Sequence, residues 1–128
     1  MSQNPSPATV LVVEDDTNQR ALYQEELADE GYNVLTAGDG KEALARVREH
    51  QPDIVVLDIN MPVMDGLDTL SHLLEDNGHI PVILNSAYAS YKESFTSWSA
   101  DAYVVKSSDL TELKTTVRRL LDAKKPGA

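Results

Sequence analysis

The stretch Val10-Leu11-Val12-Val13-Glu14-Asp15-Asp16 decides the fold: four apolar residues, three of them β-branched, run without alternation into three acids. A short run that is apolar on both faces reads as a strand buried on both sides, which is the mark of a parallel sheet. The same grammar recurs outward from it. Ile54-Val55-Val56-Leu57 runs into Asp58 and then Ile59-Asn60-Met61-Pro62, and Tyr103-Val104-Val105 runs into Lys106. In open parallel sheets ligands bind outside the carboxyl ends of the strands. Glu14, Asp15, Asp58 and Lys106 should therefore meet at one site, several acids and one ammonium, suited to a metal and a phosphoryl group.

The elements between these runs alternate. A first strand over about 9–14 leads to a helix that Asp16 or Thr17 can cap and that runs to Glu30, with Gly31 as its stop. Leu22, Tyr23 and Leu27 should face the sheet. A strand from Asn33 to Thr36 leads through Gly38-Asp39-Gly40 to a helix from Lys41 to Glu49, with Ala43, Leu44 and Val47 on its apolar face. Pro52 ends it, and the Asp53–Asp58 strand follows. Asp65-Gly66 opens a third helix carrying Leu67, Leu70, Leu73 and Leu74, which stops near Asn77-Gly78. Pro81–Asn85 is a fourth strand and Ala102–Val105 a fifth. Asp109 caps a last helix to Asp122, with Leu110, Leu113, Val117, Leu120 and Leu121 at helical period. Five strand–helix repeats in this length imply an α/β, doubly wound, five-stranded parallel sheet with helices on both faces.

Composition narrows the classes. At 128 residues the chain suits one domain. It has no cysteine, which removes disulfides and thiolate chemistry. No apolar stretch nears the ~20 residues of a membrane span, and the polar opening Met1-Ser2-Gln3-Asn4-Pro5-Ser6-Pro7 is unlike a signal peptide, so a cytoplasmic protein is expected. A net charge of −10 argues against direct binding to nucleic acid or an anionic membrane. We expect residues 1–7 to be a flexible leader, 8–123 the folded domain, and 124–128 a tail or the start of a linker.

The strand-end residues read as chemistry. Mg²⁺ takes oxygen ligands, with one or two carboxylates and the rest water, carbonyl or phosphate. Three acids in one crevice repel each other, and a cation relieves that. Asp58 is an oxygen nucleophile able to hold a phosphoryl group as an acyl phosphate, with Lys106 as a point charge over it and the Ser86 hydroxyl in reach. Asp16 alone is better read as a helix cap. His50, His72 and His79 read as surface residues with no metal-ligand spacing. Lys114, Arg118, Arg119, Lys124 and Lys125 read as a solvated helix face.

The motifs Val12-Val13-Glu14-Asp15-Asp16, Leu57-Asp58-Ile59-Asn60-Met61-Pro62, Asp65-Gly66, Ser86-Ala87, Ala100-Asp101-Ala102-Tyr103 and Lys106 follow one another in a set order. In that order the chain resembles a receiver domain of the two-component response-regulator family, over roughly residues 8–122. The resemblance implies a flavodoxin-like (βα)5 fold with strand order 2-1-3-4-5. It implies that Asp58 is the phospho-acceptor, and that Glu14, Asp15, Asp58 and the Asn60 carbonyl bind Mg²⁺, Glu14 through water. It makes Ser86 and Tyr103 the switch pair, and Lys106 the residue that bonds the phosphate. A histidine kinase or phosphotransfer protein is the implied donor. The output is a surface of the fourth helix, fifth strand and last helix, offered to a downstream protein or an effector domain. The chain would be a phospho-acceptor assisting its own phosphorylation and dephosphorylation rather than an enzyme, either stand-alone or part of a longer protein.

Three features depart from that family. Ser107 stands where a proline normally follows the lysine in a cis bond; a cis Lys106–Ser107 bond is expected if Lys106 is to reach Asp58. The stretch from Ser86 to Tyr103 looks slightly short. Tyr88, Tyr91, Phe95 and Trp98 are spaced 3, 4, 3 on a serine-rich helix, and Tyr88 is placed to shield an acyl phosphate from water. Two other classes fit less well. A haloacid-dehalogenase-type phosphohydrolase needs an Asp-x-Asp nucleophile on the first strand, which Glu14-Asp15-Asp16 is not. A flavin mononucleotide module needs a hydroxyl- and glycine-rich phosphate loop where this chain has three acids.

Overall fold

A computed structural model of the chain describes residues 7–58, 63–76, 80–87 and 100–124, the side chains of 63–67, 74, 76 and 124 excepted. The elements run β1 (Thr9–Val13), α1 (Thr17–Asp29), β2 (Asn33–Ala37), α2 (Gly40–His50), β3 (Ile54–Asp58), α3 (Val63–Asp76), β4 (Val82–Ser86), β5 (Ala102–Val105) and α4 (Thr111–Lys124). All strands pair in parallel, in the order β2-β1-β3-β4-β5 that the family resemblance implies. The expected aromatic helix over Tyr88–Trp98, the Asn77-Gly78 stop and His79 lie outside the described residues.

Side-chain alternation splits the core into two layers. Val10, Val12, Ile54, Val56, Ile83 and Val104 pack on one face against Tyr23 and Leu27 of α1 and Leu113, Val117 and Leu121 of α4. Leu11, Val13, Val55, Leu57, Val82 and Leu84 pack on the other against Ala43 and Val47 of α2 and Leu70 and Leu73 of α3. The central strand β3 is buried at every residue, as a strand covered on both faces must be. No helix among the described residues is long and apolar enough to cross a membrane.

The helix starts have local causes. Asp16 caps α1, its side chain accepting from the Gln19 N–H at 2.9 Å, and Asp39 caps α2 through the Glu42 N–H at 2.8 Å. Asp109 accepts from the Thr111 N–H at 2.9 Å at the head of α4. Gly31, past the end of α1, has φ +97°, a conformation that favours glycine.

Four expectations need correction. Leu22 is 42% exposed: it lies about 100° around α1 from Tyr23, and the sheet-facing stripe instead runs Gln19, Tyr23, Leu27. α3 starts at Val63, so Asp65-Gly66 lies within its first turn, where backbone N–H groups have no helical partner to lose. β4 is shifted one residue, to Val82–Ser86, because Pro81 has no N–H to donate; it enters the sheet only as an acceptor, for the Val55 N–H at 3.0 Å. The basic face of α4 is more than solvated. Lys114 meets Glu26 at 2.7 Å, and Arg118 lies 5.0 Å above the Tyr32 ring with Glu30 at 3.9 Å, which ties α4 to the end of α1.

Candidate functional site

Parallel register brings the acids together before any side-chain choice is made. Val13 is paired with Leu57, so the next residues, Glu14 and Asp58, leave adjacent strands side by side. Asp58 in turn is paired with Asn85, and Ser86 with Val105, which puts Lys106 one step past the edge of β5. All of these residues sit at the carboxyl edge of the sheet.

Glu14 is 1% exposed and Asp58 7%, and the Lys106 ammonium lies between them, 3.0 Å from Glu14 Oε1 and 3.1 Å from Asp58 Oδ1. Its third oxygen is Gln19 Oε1 on α1, at 3.1 Å. Burial pushes the Glu14 carboxyl up from its ordinary value to about 7, against the pull of Lys106 and with the help of the neighbouring Asp58 charge. Burial opposes charge on Lys106, but its bonds to Glu14 and the charge of Asp58 outweigh that and hold its pKa above the usual value. The lysine is cationic at every physiological pH.

Asp15 is exposed on the rim. Carboxylate oxygens of Glu14, Asp15 and Asp58 all lie within 4.8 Å of one another, close enough to share one ion. Oxygen-only donors of high charge suit a hard divalent cation such as Mg²⁺. The arrangement can therefore hold a cation, present a carboxylate nucleophile beside it, and keep an ammonium over the same oxygen. An open cleft of about 450 Å³ reaches Asp15 and Asp58 between the head of α2 and α3, with Lys41 and His72 among its walls.

The other expected residues fall as follows. Ser86 is wholly buried at the end of β4, and its carbonyl accepts the Lys106 N–H at 2.6 Å. Tyr103 is 5% exposed on the α2–α3 side of the sheet, so any switching of its ring is a change of buried packing. Asn60 and Tyr88 lie outside the described residues. The expected cis Lys106–Ser107 bond is corrected: no cis bond occurs among the described residues, and Lys106 nevertheless reaches Asp58. The β5 backbone, bonded to Ser86, aims the residue, and the four-carbon side chain spans the rest, so the roughly 2.5–4 kcal/mol cost of a non-proline cis bond is avoided.

Sequence reasoning missed α1's part. Arg20 donates to the Glu14 carbonyl at 2.9 Å, and the buried Tyr23 hydroxyl accepts from Asn85 Nδ2 at 3.1 Å. The signal that could have found them is the spacing of Asp16, Gln19, Tyr23 and Leu27, which puts a cap, an amide, a phenol and an apolar anchor on one face.

Comparison with known proteins points to one family. A family model for the response regulator receiver domain matches residues 10–118. The chain is 39% identical over 117 residues to the probable transcriptional regulatory protein TcrX of Mycobacterium tuberculosis, covering 90% of this chain and 50% of that protein. It is 41% identical over 114 residues to the transcriptional regulatory protein PrrA of the same organism, covering 88% and 49%. It thus spans about half the length of these curated relatives. The solved response regulator protein TrrA of Thermotoga maritima, in complex with Mg²⁺-BeF, is 42% identical with a TM-score of 0.81, covering 88% of this chain and 98% of that one. A structure of the histidine kinase ThkA in complex with TrrA matches at a TM-score of 0.80 and 42% identity, covering 89% and 98%.

Proposed function

This chain belongs to the response regulator receiver family, and from that premise we propose that it takes a phosphoryl group from a histidine kinase, or a phosphotransfer protein, onto Asp58. The observation that carries this reading is the Lys106 ammonium 3.1 Å from an Asp58 carboxylate oxygen, with Glu14 and Asp15 grouped beside it. We infer the partner class from the kinase complex of TrrA.

In the transfer an Asp58 oxygen attacks phosphorus. The new O–P bond forms as the P–N bond of the donor's phosphohistidine breaks, and the imidazole leaves with the electron pair. Lys106 donates to the transferred oxygens and offsets their charge. Asp15 and Asp58 would hold Mg²⁺, with Glu14 acting through water and the Asn60 carbonyl as a further ligand, and the ion would supply positive charge to the phosphoryl oxygens. Ser86 donates its hydroxyl to the phosphoryl group, and Tyr103 repacks in response, shifting the surface of β5, α4 and the preceding segment toward a downstream protein or effector domain. Only a contact that differs between the two states can drive that shift. Residues 8–123 form the receiver unit.

Acetyl phosphate with Mg²⁺, followed by borohydride trapping and mass spectrometry, should place the label on residue 58. Wild-type labelling of Asp58→Ala would remove Asp58 from this role.

A further inference from the structure

An ammonium has three N–H donors, and each donor of Lys106 has an oxygen: Glu14 Oε1 at 3.0 Å, Asp58 Oδ1 at 3.1 Å and Gln19 Oε1 at 3.1 Å. Two of these oxygens belong to the carboxylates grouped to share a cation. The third is a neutral amide on a different element. The backbone that carries it is fixed from both sides: the Gln19 backbone N–H is bonded to the Asp16 cap at 2.9 Å, and one turn on Tyr23 is buried and bonded to Asn85 of β4 at 3.1 Å. Lys106 itself follows the last residue of β5, where its backbone N–H is anchored on the Ser86 carbonyl.

We propose that Gln19 is the positioning residue for Lys106, keeping the ammonium over residue 58 when the carboxylates are engaged elsewhere. The proposal rests on the phospho-acceptor reading for its purpose, though not for its geometry. A cation shared by Glu14, Asp15 and Asp58 draws on the negative charge that holds Lys106 when the site has no cation. The amide oxygen of Gln19 has no part in that competition, and its dipole stays where α1 puts it. Without it, the flexible four-carbon stem of a strongly hydrated lysine turns to solvent once the carboxylates are occupied.

The test compares wild type, Gln19→Leu and the near-isosteric Gln19→Met. Mild amine acylation read by mass spectrometry reports Lys106 exposure without any phosphoryl chemistry. In millimolar Mg²⁺, Lys106 labelling should rise several-fold in Gln19→Leu and Gln19→Met, with Lys41 and Lys114 unchanged. Asp58 labelling by acetyl phosphate should slow on the order of tenfold at saturating Mg²⁺, the size of one hydrogen bond to a charged group. Gln19→Leu should add nothing in a Lys106→Met background. Equal Lys106 acylation in Gln19→Met and wild type, or a loss that adds fully to that of Lys106→Met, overturns the proposal. If wild type takes no label at Asp58, the phospho-acceptor reading fails while the acylation pattern still judges Gln19.

Discussion

Glu14 carries two opposed demands in one side chain: it is 1% exposed beside another acid, yet it accepts from Lys106. Its pKa rises from 4.5 to about 7, with burial as the largest cause. A carboxyl with a raised folded pKa binds its proton more tightly in the native state, so between about pH 4.5 and 7 the unfolded chain has lost a proton that the folded one keeps. In metal-free protein this contribution is full below about pH 4.5 and is lost as pH rises toward 7, at up to about 1.4 kcal/mol per unit. Urea unfolding in chelator should show that decline, and Glu14→Gln, which keeps an oxygen for Lys106, should flatten it. A slope unchanged in Glu14→Gln would assign the pH dependence to other groups. At this scale the acids and the lysine were legible in the sequence because each ends an unmistakable strand. Arg20 and Asn85 were not, because their roles arise from the rotation of α1 over the sheet, and Gln19 shows only in its helical spacing with Asp16, Tyr23 and Leu27.

Among the elements, the approach of α2 to α3 is set by an absence of side chain. A Cβ on Gly40 would collide with Thr69 Oγ1 and press on its Cβ, and Thr69 is buried, so it has little room to give way. Gly40→Ala should therefore destabilise by about 1–3 kcal/mol, the usual cost of overpacking, although alanine is the better helix former. Thr69→Ala in the same chain should recover part of the loss; a Gly40→Ala protein as stable as wild type would show that the helices slide apart freely. The pattern of strands and helices was readable from buried runs and caps, whereas boundaries drifted where one residue carries two meanings. Gly66 reads as a helix opener but is tolerated in a first turn, and Pro81 reads as strand but can only accept. Leu22 was misassigned because a helix presents only one stripe to the sheet, and α1 gives that stripe to Gln19, Tyr23 and Leu27.

For the molecule as a whole, the surplus of acids has a local focus. Three carboxylates and one ammonium leave the site two negative charges when all are ionised, the complement of a divalent cation, within a chain of net charge −10. A ligand that binds only the native state stabilises it by about 2.7 kcal/mol at 100 times its dissociation constant, which for a domain of this length raises Tm on the order of 10 °C. Any salt screens the general repulsion, since the Debye length is about 10 Å at 0.1 M, so the comparison belongs at equal ionic strength, MgCl₂ against NaCl. The excess rise in Mg²⁺ should vanish in Asp15→Asn, whose side chain is exposed and whose substitution leaves the core intact. It should also grow from pH 6 to pH 8, because the proton that burial keeps on Glu14 competes with the metal and is released when it binds. Equal melting temperatures in the two salts at pH 8 would mean that the three acids do not share a cation, and their grouping would then need another cause.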